Sequence, residues 1–322
     1  MSEPSTLRRD ASVEELVAAA REGNPRGVAR LITLVEDASP QLREVMAALV
    51  GHSGRALVVG LTGSPGVGKS TATNALVSEY RARGLRVGVL AVDPTSPFSG
   101  GALLGDRVRM QDHATDEGVY IRSMASRGHL GGLSWSTPQA LRVLDAAGCD
   151  VILVETVGVG QSEVEIAGLA DTAVVLLAPG AGDGVQAAKA GILEIADIFV
   201  VNKADRDGAD QTARELRQMQ TLSPKVPGGW NPPVLKTVAA KGEGIPELVD
   251  AIAKHREWQE SSGALDERRR QRAEREIEAI AMAAVREQWA GLRGDARLSE
   301  LATAVADGEL DPYSAADRLA PS

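Results

Sequence analysis

Seven short apolar runs that alternate with helical stretches predict an α/β fold, a mostly parallel sheet flanked by helices. Two further observations set its limits. Residues 13–50 carry apolar side chains at helical spacing without a strand-like run, and the composition turns sharply charged after Gln259. These shifts divide the chain into an N-terminal helical extension (1–54), an α/β domain (55–259) and a C-terminal helical arm (260–322). With 322 residues, 43% hydrophobic and 25% charged, the chain has the balance of a folded soluble protein and enough length to bury a full core.

In the extension, Val28, Leu31, Ile32 and Val35, then Leu42, Val45, Met46 and Leu49, recur at the three- and four-residue spacing that lines one helix face. Asn24-Pro25 and Ser39-Pro40 break that pattern into separate helices. The strand runs follow as ALVVGLT (56–62), RVGVLAV (86–92), VYIRSM (119–124), DVILVE (150–155), TAVVLLA (172–178), DIFVVN (197–202) and VLKTVAA (234–240). Runs that are apolar along their whole length suit strands covered on both faces, as in a parallel sheet. In the arm, residues 266–275 are nearly all charged and read as a solvated helix face. Beyond them Ile277, Ile280, Ala284, Val285 and Trp289 fall along one helical face. That stripe has no strand to cover it, so it is expected to pack on the domain or on a second subunit, and a homodimer is expected.

Charge and cysteine content narrow the class. The 44 acidic and 35 basic residues give a formal charge of −9, which offers no global attraction to nucleic acid or to an anionic membrane, and neither is expected as a partner. Cys149 stands alone and cannot form an internal disulfide; His52, His113, His129 and His255 show no metal-ligand spacing. The polar start lacks a secretion signal, and no apolar run approaches the roughly 18 residues of a membrane span, so a cytoplasmic location is expected.

Residues 63–70, GSPGVGKS, match G-x-x-x-x-G-K-[ST], follow a predicted strand and open a predicted helix, the context that a phosphate-binding loop requires. Gly63, Ser64, Gly66, Val67 and Gly68 supply a backbone that closes around phosphate oxygens. Lys69 reaches the β/γ oxygens, Ser70 is suited to Mg²⁺, and Thr71 continues the helix start. Asn202-Lys203-Ala204-Asp205 directly follows another strand run, where a base-reading loop lies in such a sheet. The Asp205 carboxylate can accept both the N1–H and the 2-amino hydrogens of guanine, which adenine does not offer, so GTP and GDP are the expected nucleotides. Residues 237–241, with Ala239, Ala240 and Lys241, are candidates for backbone contacts to the same base. Asp93, Asp106 and Glu155 lie near the expected γ-phosphate, and one or two of them suffice for Mg²⁺, directly or through water. Glu155-Thr156-Val157-Gly158 also suits a γ-phosphate sensor, in which the Gly158 amide bonds the terminal phosphate and releases it after hydrolysis.

Taken together, TGSPGVGKST (62–71), VDPTSPFSGGALLGDRVRM (92–110), ETVGVGQSE (155–163), APGAGDGVQAAKAGILEIADIFVVNKAD (178–205) and DPYSAADRL (311–319) resemble the MeaB/ArgK/MMAA GTPases, of the SIMIBI class of P-loop proteins. The resemblance covers nearly the whole chain. It implies a P-loop GTPase domain and a GTP-hydrolysing chaperone of an adenosylcobalamin-dependent acyl-CoA mutase, most often methylmalonyl-CoA mutase, that helps load intact cofactor and remove damaged cofactor. By the same resemblance Lys69 and Ser70 fall on phosphate and Mg²⁺ positions, Asp93, Asp106 and Glu155 on the acidic Mg²⁺-site positions, and Arg109 in a mobile loop with nucleotide-linked charge contacts. Asp183, Gln186 and Lys189 fall in a segment, 180–191, that communicates with the mutase. Gly184 and Ala190 depart from the family pattern there, where relatives carry an acidic or large residue and a second lysine. Two alternatives belong to other classes: an ArgK-type kinase of a transport system, and a metal-delivery GTPase, which would need Cys/His ligands.

Overall fold

The computed structural model describes residues 7–8, 10–93, 113, 115–125, 136–156, 162–180, 193–222, 228–288 and 296–319. Three helices come first: α1 (Val13–Arg21), α2 (Pro25–Glu36) and α3 (Leu42–Ala48). Ser12 and Glu15 form a reciprocal capping box at the start of α1. The Asn24-Pro25 break is a helix start, since the Asn24 side chain accepts from Arg26 N and Gly27 N while Pro25 takes a first-turn position that needs no donor.

The sheet has seven parallel strands: β1 (Leu57–Thr62), β2 (Val87–Asp93), β3 (Val119–Ala125), β4 (Val151–Thr156), β5 (Thr172–Leu177), β6 (Ile198–Val201) and β7 (Val234–Lys236). Their order is β3-β2-β4-β1-β5-β6-β7, with every adjacent pair parallel. Strand β1 is therefore central, with Leu61 opposite Glu155 of β4 and Thr62 opposite Val175 of β5. On one face Val58, Leu90, Val92, Ile152 and Val154 share a core with the N-terminal helices, α5 (Thr137–Ala146) and α6 (Ser162–Leu169). On the other, Val59, Leu61, Val89 and Leu153 pack under α4 (Lys69–Ala82) and α8 (Ile245–Ser262). A third cluster joins β5 and β6 to α7 (Ala209–Leu222). Cys149 is part of the first core, and burial pushes its thiol up to about 12, so it behaves as a small apolar side chain.

Two expectations are corrected. The run 234–240 does not stay a strand: β7 ends at Lys236, and Ala239–Lys241 form a tight 3₁₀ turn. The reason lies in its backbone donors, since Val238 N turns to Glu243 O and Ala239 N to the Asn202 side chain. The charged run 266–275 is not solvated throughout. It begins helix α9 (Ala264–Gln288), and two of its arginines dock on the amino edge of the sheet. Arg268 forms a bidentate pair with Asp197 at 2.7 and 3.0 Å, and Arg269 pairs with Asp171 at 3.0 Å. Arg269 also donates to Gly54 O and Ala56 O in the linker before β1.

The chain divides into two compact units, Met1–Arg269 and Arg270–Ser322. In the second unit Ile277 (68% exposed), Ile280, Met282 and Val285 lie open to solvent. Helices α10 (Ala296–Ala306) and α11 (Pro312–Leu319) follow, the latter capped by the Asp311 carboxylate on Tyr313 N and Ser314 N. Trp289, expected on the apolar stripe, lies outside the described residues.

Candidate functional site

The site forms at the carboxyl end of β1, where the order reverses between β4 and β5 and an open parallel sheet leaves a crevice. Strand β1 hands the chain to Gly63, whose φ of 139° lies where side chains are not accommodated; a Cβ there would stand 2.2 Å from Leu176 O. Gly68 is the N-cap of α4 at φ 97°, and a Cβ on it would meet the Asn202 amide at 2.5 Å. The loop 63–68 can thus follow this path only with glycine at those two corners. Helix α4 then begins with no side-chain cap, its positive end turned into the loop.

Lys69 is buried although charged, and its ammonium donates to Gly63 O at 2.6 Å and Ser64 O at 3.3 Å. Those bonds hold the charge inside the loop that a phosphate would enter. One residue on, the Ser70 hydroxyl donates to Glu155 Oε1 at 2.6 Å, and Thr73, a turn later, donates to Glu155 Oε2 at 2.8 Å. Glu155 sits on β4 beside Leu61 of β1 and is 1% exposed, so the sheet register itself carries this carboxylate to the foot of α4. A serine hydroxyl and a carboxylate are hard oxygen donors of the kind that Mg²⁺ takes.

The residues expected to read the base are tied to the same loop. Asn202 follows β6, donates from Nδ2 to Val67 O at 2.8 Å and accepts at Oδ1 from Thr237 Oγ1 and Ala239 N. One buried amide therefore links the phosphate loop, the residues after β6 and the 3₁₀ turn Ala239–Lys241. Lys203, in the left-handed region at φ 56°, lays its ammonium on Gly66 O at 2.6 Å. Asp205 is half-exposed, with the Lys241 ammonium 3.8 Å from its carboxylate.

Of the residues expected at the site, the structure brings together Gly63, Ser64, Gly66, Val67, Lys69, Ser70, Glu155, Asn202, Lys203 and Ala239 through these bonds, with Gly68 at the corner between the loop and α4. Thr71 is in the first turn of α4, and Ala240 lies beside Lys241 in the 3₁₀ turn. Asp93 ends β2, opposite Ala125 of β3. Asp106, Arg109, Gly158, Asp183, Gln186 and Lys189 lie outside the described residues. Sequence reasoning missed Thr73 and the hydroxyl role of Thr237. Neither has a motif position of its own, and each acquires its partner only when a strand is laid beside the helix or loop that carries it.

Comparison with known proteins identifies what this geometry belongs to. A family model, methylmalonyl-CoA mutase-associated GTPase MeaB, matches residues 28–292. A protein of Pyrococcus abyssi named as a GTPase is 52% identical over 309 residues, 95% of each chain. The mitochondrial methylmalonic aciduria type A homolog of Mus musculus is 37% identical over 274 residues, 80% of this chain and 66% of that protein. A crystal structure described as LAO/AO transport system kinase shares 29% identity and a TM-score of 0.75, covering 98% of each chain.

Proposed function

The chain belongs to the methylmalonyl-CoA mutase-associated GTPases and is a P-loop GTPase, and from that premise we propose that it serves as a GTP-hydrolysing chaperone of an adenosylcobalamin-dependent acyl-CoA mutase. Methylmalonyl-CoA mutase is the partner that the family name favours, and gating of cofactor loading and reactivation of the mutase are the roles we assign. The observation that carries the nucleotide chemistry is the pairing of Ser70 with Glu155 beneath a loop that Asn202 ties to the base-reading residues. We read residues 1–54 as a helical extension, 55–259 as the GTPase domain and 260–322 as a dimerisation arm, in a cytoplasmic homodimer.

In this reading Lys69 meets the β/γ-phosphate oxygens with a charge that Gly63 O and Ser64 O already aim into the loop, and the start of α4 adds positive potential. Asp205 accepts from the guanine edge, and Asn202 keeps its loop in register with the phosphates. Mg²⁺ would be held by Ser70 and by carboxylates among Glu155, Asp93 and Asp106, directly or through water, and supplies charge neutralisation on the phosphate oxygens. No glutamine follows Gly158, where Val159 stands, and no in-place arginine finger is evident in the sequence, so hydrolysis by the free protein is expected to be slow. Segments that respond to the γ-phosphate, with those containing Arg109, Glu155 and residues 180–191 as candidates, bind the mutase more tightly in one state, and the mutase shifts that equilibrium in return.

The transport-kinase description of one solved relative favours a second reading, phosphoryl transfer to protein. A guanine-reading Asp205 fits that role poorly. Steady-state GTPase rates with and without a cobalamin-dependent mutase test the proposal, with faster hydrolysis expected when the mutase is present. Lys189→Ala should weaken the stimulation more than it weakens GTP binding. Absence of stimulation by any such mutase would count against the chaperone role, and phosphate appearing on a protein acceptor would favour the kinase.

A further inference from the structure

Thr73 is fully buried on α4, one turn beyond Ser70, and its hydroxyl has a single hydrogen with two acceptors in reach. Lys69 O stands at 3.1 Å and Glu155 Oε2 at 2.8 Å. The bond to the carboxylate is the shorter and is charge-assisted, so it takes the hydrogen. Glu155 is then held at two points by hydroxyls from successive turns of one helix, Ser70 on Oε1 and Thr73 on Oε2. A bond to each oxygen fixes the plane of a carboxylate more firmly than a bond to one of them. The fixed carboxylate in turn directs the Ser70 hydrogen toward itself, which turns the lone pairs of Ser70 Oγ away from β4.

We propose that Thr73 is a positioning residue of the nucleotide site: by fixing Glu155 it sets the direction in which Ser70 presents its oxygen to the Mg²⁺ of a bound Mg²⁺–guanine nucleotide. The inference rests on the reading of Ser70 and Glu155 as Mg²⁺-site residues. A purely structural role is the alternative, since buried threonines in helices commonly bond the carbonyl four residues back. The two roles differ in what they do to Mg²⁺. A helix-internal bond affects folding alone, whereas a lost carboxylate anchor weakens the cation without touching the base or the loop backbone.

The test titrates Mg²⁺ into the full-length protein bound to a fluorescent GDP analogue and separately measures affinity for the analogue in EDTA. Thr73→Val removes the donor at nearly constant volume. It is expected to raise the Mg²⁺ concentration for half-maximal response about 10- to 100-fold, the range seen when a group supporting a metal ligand is lost, with EDTA affinity within about twofold of wild type. Thr73→Ser restores the donor and should titrate like wild type. Superimposable Mg²⁺ titrations of wild type and Thr73→Val, an equal loss in Thr73→Ser, or an equal fall in EDTA affinity would each overturn the proposal. Should circular dichroism show Thr73→Val unfolded, Thr73→Ala against Thr73→Ser carries the same comparison. Wild-type binding that ignores Mg²⁺ altogether would overturn the assignment of Ser70 and Glu155 beneath it, a failure distinct from that of Thr73.

Discussion

At the amino edge of the sheet, Asp171 and Asp197 stand at the starts of β5 and β6, and each meets an arginine from the first turns of α9. At the carboxyl edge, Lys69 is bonded to two neutral carbonyls and Glu155 to two neutral hydroxyls. The amino edge neutralises charge with charge inside the chain and adds backbone bonds, with Asp171 also accepting from Val58 N and Asp197 from Ala173 N. It is a closed network, and breaking it leaves buried charge without compensation. The bonds at the carboxyl edge come from carbonyls and hydroxyls that aim the Lys69 ammonium and the Glu155 carboxylate, and in the function we propose an incoming phosphate and cation meet groups already aimed. Two edges of one sheet thus use similar residue types differently, and we read the first as serving stability and the second as serving ligand recognition.

That contrast is breakable from either side. At the carboxyl edge, Asp205→Asn should reverse the preference between GTP and xanthosine triphosphate by on the order of 10³, because the C2 carbonyl of xanthine needs a donor where guanine needs an acceptor. Competition binding measures it, and the urea midpoint should not move, since Asp205 is half-exposed. An unchanged preference would remove Asp205 as the base reader. At the amino edge, Asp171→Ala strips Arg269 of its partner and should destabilise by roughly 4 kcal/mol in urea unfolding while leaving that preference intact. A shift in nucleotide preference there would mean that the two edges are not separable.

The smallest effect concerns pH. His255 is fully buried between Trp230 and Trp258, with Nδ1 2.9 Å from Thr172 Oγ1 and Nε2 3.4 Å from Asp197 Oδ1. Burial is the main cause that holds its pKa down at about 4; Arg268 acts in the same direction, while Asp197 and Asp171 oppose it. The ring is therefore neutral in the folded protein, whereas the unfolded chain takes up a proton below about pH 6.5. Its contribution is fully present above pH 6.5 and is lost as pH falls toward 4, approaching roughly 3 kcal/mol. Urea unfolding across that window should show a steeper pH dependence for wild type than for His255→Gln. Equal slopes would show that the ring titrates normally.

Much of this was legible in the chain. The whole-length apolar runs announce strands covered on both faces, because only there is every side chain out of water. The loop 63–70 declares itself through glycines at fixed offsets from Lys69 and Ser70, since its backbone path admits little else. The charged run 266–275 misled, because composition reports that charges are present but not which of them find partners. Arg268 and Arg269 are indistinguishable in sequence from Arg270, which pairs with Glu274 on the surface of the same helix.

What the sequence by itself determined is local or periodic: the strands and helices, the phosphate loop, the candidates for reading the base and the family to which the chain belongs. Such features are set by backbone preferences and by spacing along a single stretch. The tertiary structure decided which distant residues meet. Parallel pairing of β1 with β4 sets Glu155, 85 residues from Ser70, against its hydroxyl. The same sheet brings Asn202 to Val67 and gives Asp171 to Arg269. Each of these contacts depends on register and strand order, which are fixed by the burial of the whole sheet between its helices and by no single segment of the chain.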